Sequence, residues 1–274
     1  MGREPMLMAA CGKKGVGKSY QHMILMNQYV QGDYYNGVKG RKCLIMDVND
    51  EYGYGTYYVP AISLKDIPLF TVHPNIEIRR VRPFHPNGAR MTLDEWAQAL
   101  QYVLNRFRNG LLLIEDVNKF IGDHLPSDLV GSIATNRHIG LDIILSYQSL
   151  GRINTKIWGN LNQLRFHKNN ESVERHKEKF PDKYEFMRLS EIMVNNEYHR
   201  GNSRFFVYVD MDESKIRGNI SDDLIEEAMD TYINENYNAI LKPYLVQRQG
   251  NKKKHTSESA IKEIKERIKT TYFR

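Results

Sequence analysis

The run GKKGVGKS at Gly12–Ser19 fits the pattern G-x-x-x-x-G-K-[ST] at every fixed position. Gly12, Gly15 and Gly17 let the backbone turn its N–H groups inward around phosphate oxygens. The start of the following helix adds the positive end of its dipole. Lys18 can reach the β- and γ-phosphates of a nucleotide, and the Ser19 hydroxyl can complete a Mg²⁺ shell. The spacing therefore predicts a cradle of Gly12, Lys13, Lys14, Gly15, Val16, Gly17, Lys18, Ser19 and Tyr20, with ATP and Mg²⁺ as cofactors. The bland alternative is a chance glycine-rich turn, but the run lies between a strand-like and a helix-like segment, as the chemistry requires.

A second acid-bearing segment, LLLIED, ends in Glu115 and Asp116. As a Walker B strand it would turn Glu115 towards the Mg²⁺ water shell, making Ser19 and Glu115 the metal-side residues. Asp116 would then orient or deprotonate the attacking water. The order, Glu before Asp, leaves the division of these tasks open. A surface acid pair at a strand end is the alternative. A later strand ends in ILSYQ, where Gln148 could touch the γ-phosphate and report its loss, or could simply leave a strand. No NKxD base-reading motif is present, which argues against a GTPase.

These residues need elements to hold them. Leu7–Cys11, Lys42–Asp47, the run NIEIRRVRPF, Leu111–Ile114, Leu141–Gln148, Leu164–His167 and Ser203–Asp210 read as strands. Helical apolar spacing follows the glycine loop at Met23, Met26 and Val30, with Gly32 suited to the helix end. Thr92 and Glu95 form a capping box ahead of Trp96, Leu100, Val103, Leu104 and Phe107. Further helices are expected near Pro126–Arg137, over Asp222–Tyr237 and along Ile261, Ile264 and Ile268. Apolar strands separated by helices imply a parallel sheet covered on both faces.

The expected fold class is α/β: a P-loop NTPase with a central, mainly parallel sheet flanked by helices. Residues 1–240 would form the ATPase domain, with a polar helical insertion or lid over 168–202. Residues 241–274 would form a basic linker and C-terminal helix. From Leu241 to Arg274 there are ten Lys or Arg against three Glu, a balance of +7 in a chain of net charge +6, so residues 1–240 carry about −1. A local excess of this kind suits a polyanion partner, or a solvated tail. Arg79, Arg80, Arg82 and Arg90 surround a Pro/Gly turn and read either as phosphate contacts or as a charged strand edge. Cys11 and Cys43 are too few to staple a secreted fold, and the histidines show no metal spacing. With no apolar run long enough to span a membrane and no signal segment, a cytoplasmic chain is expected.

The run RHIGLDIILSYQSLGRI resembles the FtsK–HerA superfamily of DNA-translocating ATPases, with Arg137 before a strand that ends in Gln148. IMDVNDEYG is similar to the D-x-x-x-E-Y segment of the HerA-like branch, matched by Asp47, Glu51 and Tyr52. The resemblance covers roughly Met6 to Asp210. It departs in the Glu115–Asp116 order and in lacking an Arg-Pro pair directly after Gln148. It implies an ASCE/RecA-like core and a homo-oligomeric ring, hexameric in the family. Arg137 would be supplied as a finger to the neighbouring subunit's ATP, with Arg152 and Arg200 as substitutes.

The resemblance further implies a motor that pumps double-stranded DNA. A core of this size looks like the genome-packaging ATPases of viruses and phages, in the host cytoplasm or carried with the virion, with capsid or portal-vertex proteins as partners. The competing expectations are a plasmid, conjugation or Zot-like phage-assembly ATPase, and a P-loop switch protein that does not translocate.

Overall fold

Unbroken apolar runs are stable only where both faces of a strand are covered. The computed structural model describes residues 4–54, 57–117, 131, 139–249 and 252–273. The chain divides into two units, Met1–Gln163 and Leu164–Arg274.

The first unit is built on β1 (Leu7–Cys11), β2 (Cys43–Met46), β3 (Ile78–Val81), β4 (Leu111–Ile114) and β5 (Asp142–Tyr147). All are parallel, in the order β3-β2-β4-β5-β1. Every residue of β1, β2, β4 and β5 is buried. One face packs Met8, Ala10, Cys43, Ile45, Leu111, Leu113 and Ile144 against Met23 and Met26 of α1 (Lys18–Gln31). The short α2 (Ile67–Val72) and α3 (Leu93–Arg106) follow. Helix α3 starts at the expected capping box, with Thr92 and Glu95 exchanging both side-chain to backbone bonds. Helix α1 stops at Gly32, which sits at φ 68° against the Val38 carbonyl, where a Cβ has no room. Parallel order has one consequence for chemistry. The carboxyl ends of β1, β5, β4 and β2 lie side by side along one edge, where ligands of such sheets bind.

The second unit begins within β6 (Gln163–His167) and adds an antiparallel pair, β7 (Phe206–Asp210) and β8 (Lys215–Arg217). Its helices are α4 (Tyr184–His199), α5 (Asp222–Glu235), α6 (Tyr237–Val246) and α7 (Ser257–Tyr272). The segment 168–202 looked polar in sequence. Its helix α4 nevertheless buries Phe186, Met187, Leu189, Ile192, Met193 and Val194, so it supplies core to this unit. The expected linker after α6 contains a small antiparallel ribbon, β9 (Arg248–Gln249) with β10 (Lys252–Lys253). Helix α7 packs on α5, α6 and β8 and buries Ala260, Ile264 and Ile268. The C-terminal segment is thus docked rather than solvated. The helix expected near 126–137 lies, apart from Gly131, outside the described residues. Among the described residues, no helix is long and apolar enough to cross a membrane.

Candidate nucleotide site

The glycine loop occupies the turn from β1 into α1. Gly15 and Gly17 both stand at φ 85°, in the left-handed region, and Gly17 immediately precedes the helix. Gly12 N–H donates to the Tyr147 carbonyl at 3.2 Å, which pins the loop to the end of β5. Val16 is buried beneath the loop, whereas Lys14 and Gly15 are exposed. A Cβ built on Gly15 meets nothing within 4 Å, so this part of the loop faces open space. Lys18 Nζ arches back to donate to the carbonyls of Gly12 at 2.6 Å and Lys13 at 3.0 Å. Loop, helix start and ammonium together fit a polyphosphate.

Glu115 and Asp116 follow directly on β4, and they occupy different environments. Glu115 is only 7 % exposed. His22, on α1, lies with Nδ1 2.9 Å from Glu115 Oε1, and the Tyr52 hydroxyl donates to the same oxygen. Burial alone would raise the Glu115 pKa, but His22, Tyr52 and Ser146 outweigh it and hold the carboxyl well below the usual range. Asp116 takes a left-handed backbone, φ 44°. Its Oδ2 accepts from Asn49 Nδ2 at 2.7 Å and its Oδ1 from Gln148 Nε2 at 2.9 Å. Gln148 and Asp116, distant in sequence, are therefore brought together at the strand ends.

The D-x-x-x-E-Y segment forms the third wall. The Asp47 carboxylate accepts from the backbone N–H of Glu51 at 2.9 Å and of Tyr52 at 3.0 Å, closing a 3₁₀ turn over Glu51–Gly53. Burial raises the Asp47 pKa, against these bonds and Arg80. Burial and the neighbouring Glu115, Asp116 and Asp47 raise the pKa of Glu51. The donors at this edge are hard oxygens, the Ser19 hydroxyl and carboxylates, which suit Mg²⁺ held mainly by phosphate and water.

In the arginine-rich segment around β3 only Arg80 is buried, whereas Arg79 is half-buried and Arg82 and Arg90 are exposed, and all four have partners within the protein. Arg80 is buried and donates to Val59 O at 2.8 Å, to Asp47 at 3.0 Å and to Asp50. Arg82 grips Asp50 with two bonds of 2.9 Å, Arg90 donates to Val48 O at 2.8 Å, and Arg79 pairs with Glu77 at 2.8 Å. Their internal partners are acids and carbonyls that a phosphate would have to displace. Arg137 lies outside the described residues. Of its substitutes, Arg200 pairs with Glu227 at 2.5 Å and Glu197 at 3.3 Å, and Arg152 is exposed in a 3₁₀ turn after β5.

His22 and Asn49 escaped the sequence reading. His22 falls one turn beyond Ser19 on a helix that also carries Gln21, Asn27, Gln28 and Gln31, so nothing local singles it out, and its partner is 93 positions away. Asn49 had only its place inside the D-x-x-x-E-Y segment to mark it.

No family model matches this chain, and no curated protein does. Solved structures do. The chain is similar to the genome packaging NTPase B204 from Sulfolobus turreted icosahedral virus 2 in complex with ATP-gammaS. That match has a TM-score of 0.51 at 16 % identity and covers 79 % of this chain and 97 % of that one. It is also similar to B204, the DNA-packaging ATPase from Sulfolobus turreted icosahedral virus, with a TM-score of 0.50, 12 % identity, and 78 % and 97 % coverage. The N-terminal domain of zonular occludens toxin from Neisseria meningitidis matches at a TM-score of 0.36, too low to carry an argument. At these identities the likeness to B204 shows the fold alone: α/β, with a mainly parallel sheet, as in that NTPase.

Proposed function

We propose that this chain is an ATPase that drives double-stranded DNA, most simply into a viral or phage capsid. The observation that carries the ATPase reading is Asp116, held between Asn49 and Gln148 at the same sheet edge as the Gly12–Ser19 loop. The DNA-packaging reading rests on the B204-like fold together with the FtsK–HerA resemblance of the sequence.

In this reading the loop N–H groups and the α1 start bind the phosphates, and Lys18 exchanges the Gly12 and Lys13 carbonyls for the β- and γ-phosphates. Ser19 and Glu115 would hold Mg²⁺ or its water, which supplies charge neutralisation to the phosphates. Asp116 accepts the proton of the attacking water and Gln148 fixes that carboxylate. Gln148 can then leave Asp116 for the γ-phosphate and return when phosphate departs, which ties strand β5 to the state of the nucleotide. Arg137 from a neighbouring subunit would complete the site in a ring.

The test is turnover with and without duplex DNA. Wild type should hydrolyse ATP faster with DNA present, and folded Lys18→Ala protein should not hydrolyse it at all. Equal turnover in the two proteins removes the P-loop assignment. Turnover indifferent to DNA favours a switch protein over a motor. Mixing Lys18→Ala with Arg137→Ala should restore some basal hydrolysis, because the mixture can pair an intact loop with an intact Arg137 across one interface. Proven co-assembly without recovery removes Arg137 as the finger.

A further inference from the structure

Glu115 receives two protein donors on one oxygen, and neither belongs to the machinery above. Because an ionised carboxylate only accepts, the His22 Nδ1 that lies 2.9 Å from Oε1 must carry the hydrogen. The Tyr52 hydroxyl is the second donor to Oε1, and His22 itself stands one helical turn after Ser19 on α1. His22 is fully buried and Tyr52 is 1 % exposed. Tyr52 in turn is fixed from behind, since Asp47 accepts its backbone N–H and is itself held by Arg80 Nη1 at 3.0 Å.

An unpaired buried carboxylate is costly, and one that can swivel presents no defined oxygen to a ligand. Double donation to Oε1 removes that freedom. It leaves Glu115 in one orientation, tied through His22 to the helix that carries Ser19. We propose that Tyr52 and His22 are positioning residues that fix Glu115 beside Ser19 and so set the affinity of the nucleotide site for its divalent cation. The inference rests on the ATPase reading and assigns a task to the tyrosine of the D-x-x-x-E-Y segment.

The experiment separates nucleotide from metal. A non-hydrolysable ATP analogue is bound first in EDTA, and Mn²⁺ is then titrated into the saturated complex and followed by electron paramagnetic resonance. Tyr52→Phe and His22→Leu should bind the metal-free analogue like wild type and hold Mn²⁺ about 10- to 100-fold more weakly. His22→Asn, whose amide nitrogen can stand where Nδ1 stands, should recover most of the metal affinity. Thermal melting checks each fold. Should His22→Leu not fold, Tyr52→Phe, which removes a single oxygen, decides alone. Unchanged Mn²⁺ affinity in Tyr52→Phe overturns the inference. So does a parallel loss of metal-free binding, which would mean that His22 and Tyr52 only shape the loop. A wild-type protein that binds no analogue sinks the ATPase reading instead.

Discussion

Two adjacent acids at the end of one strand divide their surroundings between them. Glu115 turns into the protein, onto His22 and Tyr52, while Asp116 turns along the strand ends, onto Asn49 and Gln148. The left-handed backbone at Asp116, which Asp and Asn tolerate better than other non-glycine residues, is what aims the second side chain away from the first. Asp116→Asn keeps that tolerance and removes the basic oxygen. It should lower single-turnover hydrolysis by about 10²- to 10⁴-fold with nucleotide affinity unchanged; a variant as fast as wild type would strip Asp116 of its role. Glu115 sets a pH dependence with a defined sign. Its folded pKa is depressed, so its contribution to stability is present above the ordinary glutamate range and lost as pH falls below it. Asp47 and Glu51, with raised pKa values, act in the opposite sense. The useful quantity is therefore the stability difference between wild type and Glu115→Gln, which should shrink as denaturant melts are repeated at lower pH.

At the scale of elements, the turn Glu51–Gly53 is the least forgiving part of the site. A Cβ on Gly53 would press into the Arg80 guanidinium, 3.1 Å from its Cζ, and that guanidinium is buried and bonded to Asp47. Gly53→Ala should therefore cost about 1–3 kcal/mol in denaturant unfolding, as overpacking does in a filled core. A neutral result would mean that Arg80 can move without harm. The sequence made the strands and α3 readable because their signals are local: all-apolar runs, and a capping box four residues long. It made the loop, the acid pair and Gln148 readable because each is marked by residue type at a strand end. The pairing of Arg80 and Arg82 with Asp47 and Asp50 was not readable, since it joins residues 30 to 33 positions apart and leaves no periodic trace. Helix α4 misled for another reason. Its apolar residues are diluted by Arg188, Glu191 and Asn195, of which Arg188 and Glu191 bond each other at 2.6 Å.

For the molecule as a whole, the issue is where the basic charge goes. The C-terminal excess looked free for a polyanion, yet Lys265 pairs with Glu226 at 2.9 Å and Asp230 at 2.6 Å, Lys269 pairs with Glu226, and Arg267 grips Glu185 at 2.7 Å. The acids of α4 and α5 thus receive the cations of α7 within the second unit. Meanwhile Ile264 and Ile268 are buried completely, each worth about 1.5–3 kcal/mol of apolar transfer. Truncation at 250 would then remove core as well as charge, and the second unit should melt earlier or fail to fold. A loss of DNA binding in that truncation would say nothing about direct contact. The discriminating variant is Arg248→Gln/Lys254→Gln/Lys262→Gln, which changes exposed side chains and spares the buried stripe. Its melting temperature should stay with wild type. If these cations meet duplex phosphates, each cation–phosphate pair removed should flatten the slope of log affinity against log salt by about 0.9. An unchanged slope in the triple variant would make the C-terminal helix a structural strut of its unit and return the DNA interaction to other surfaces.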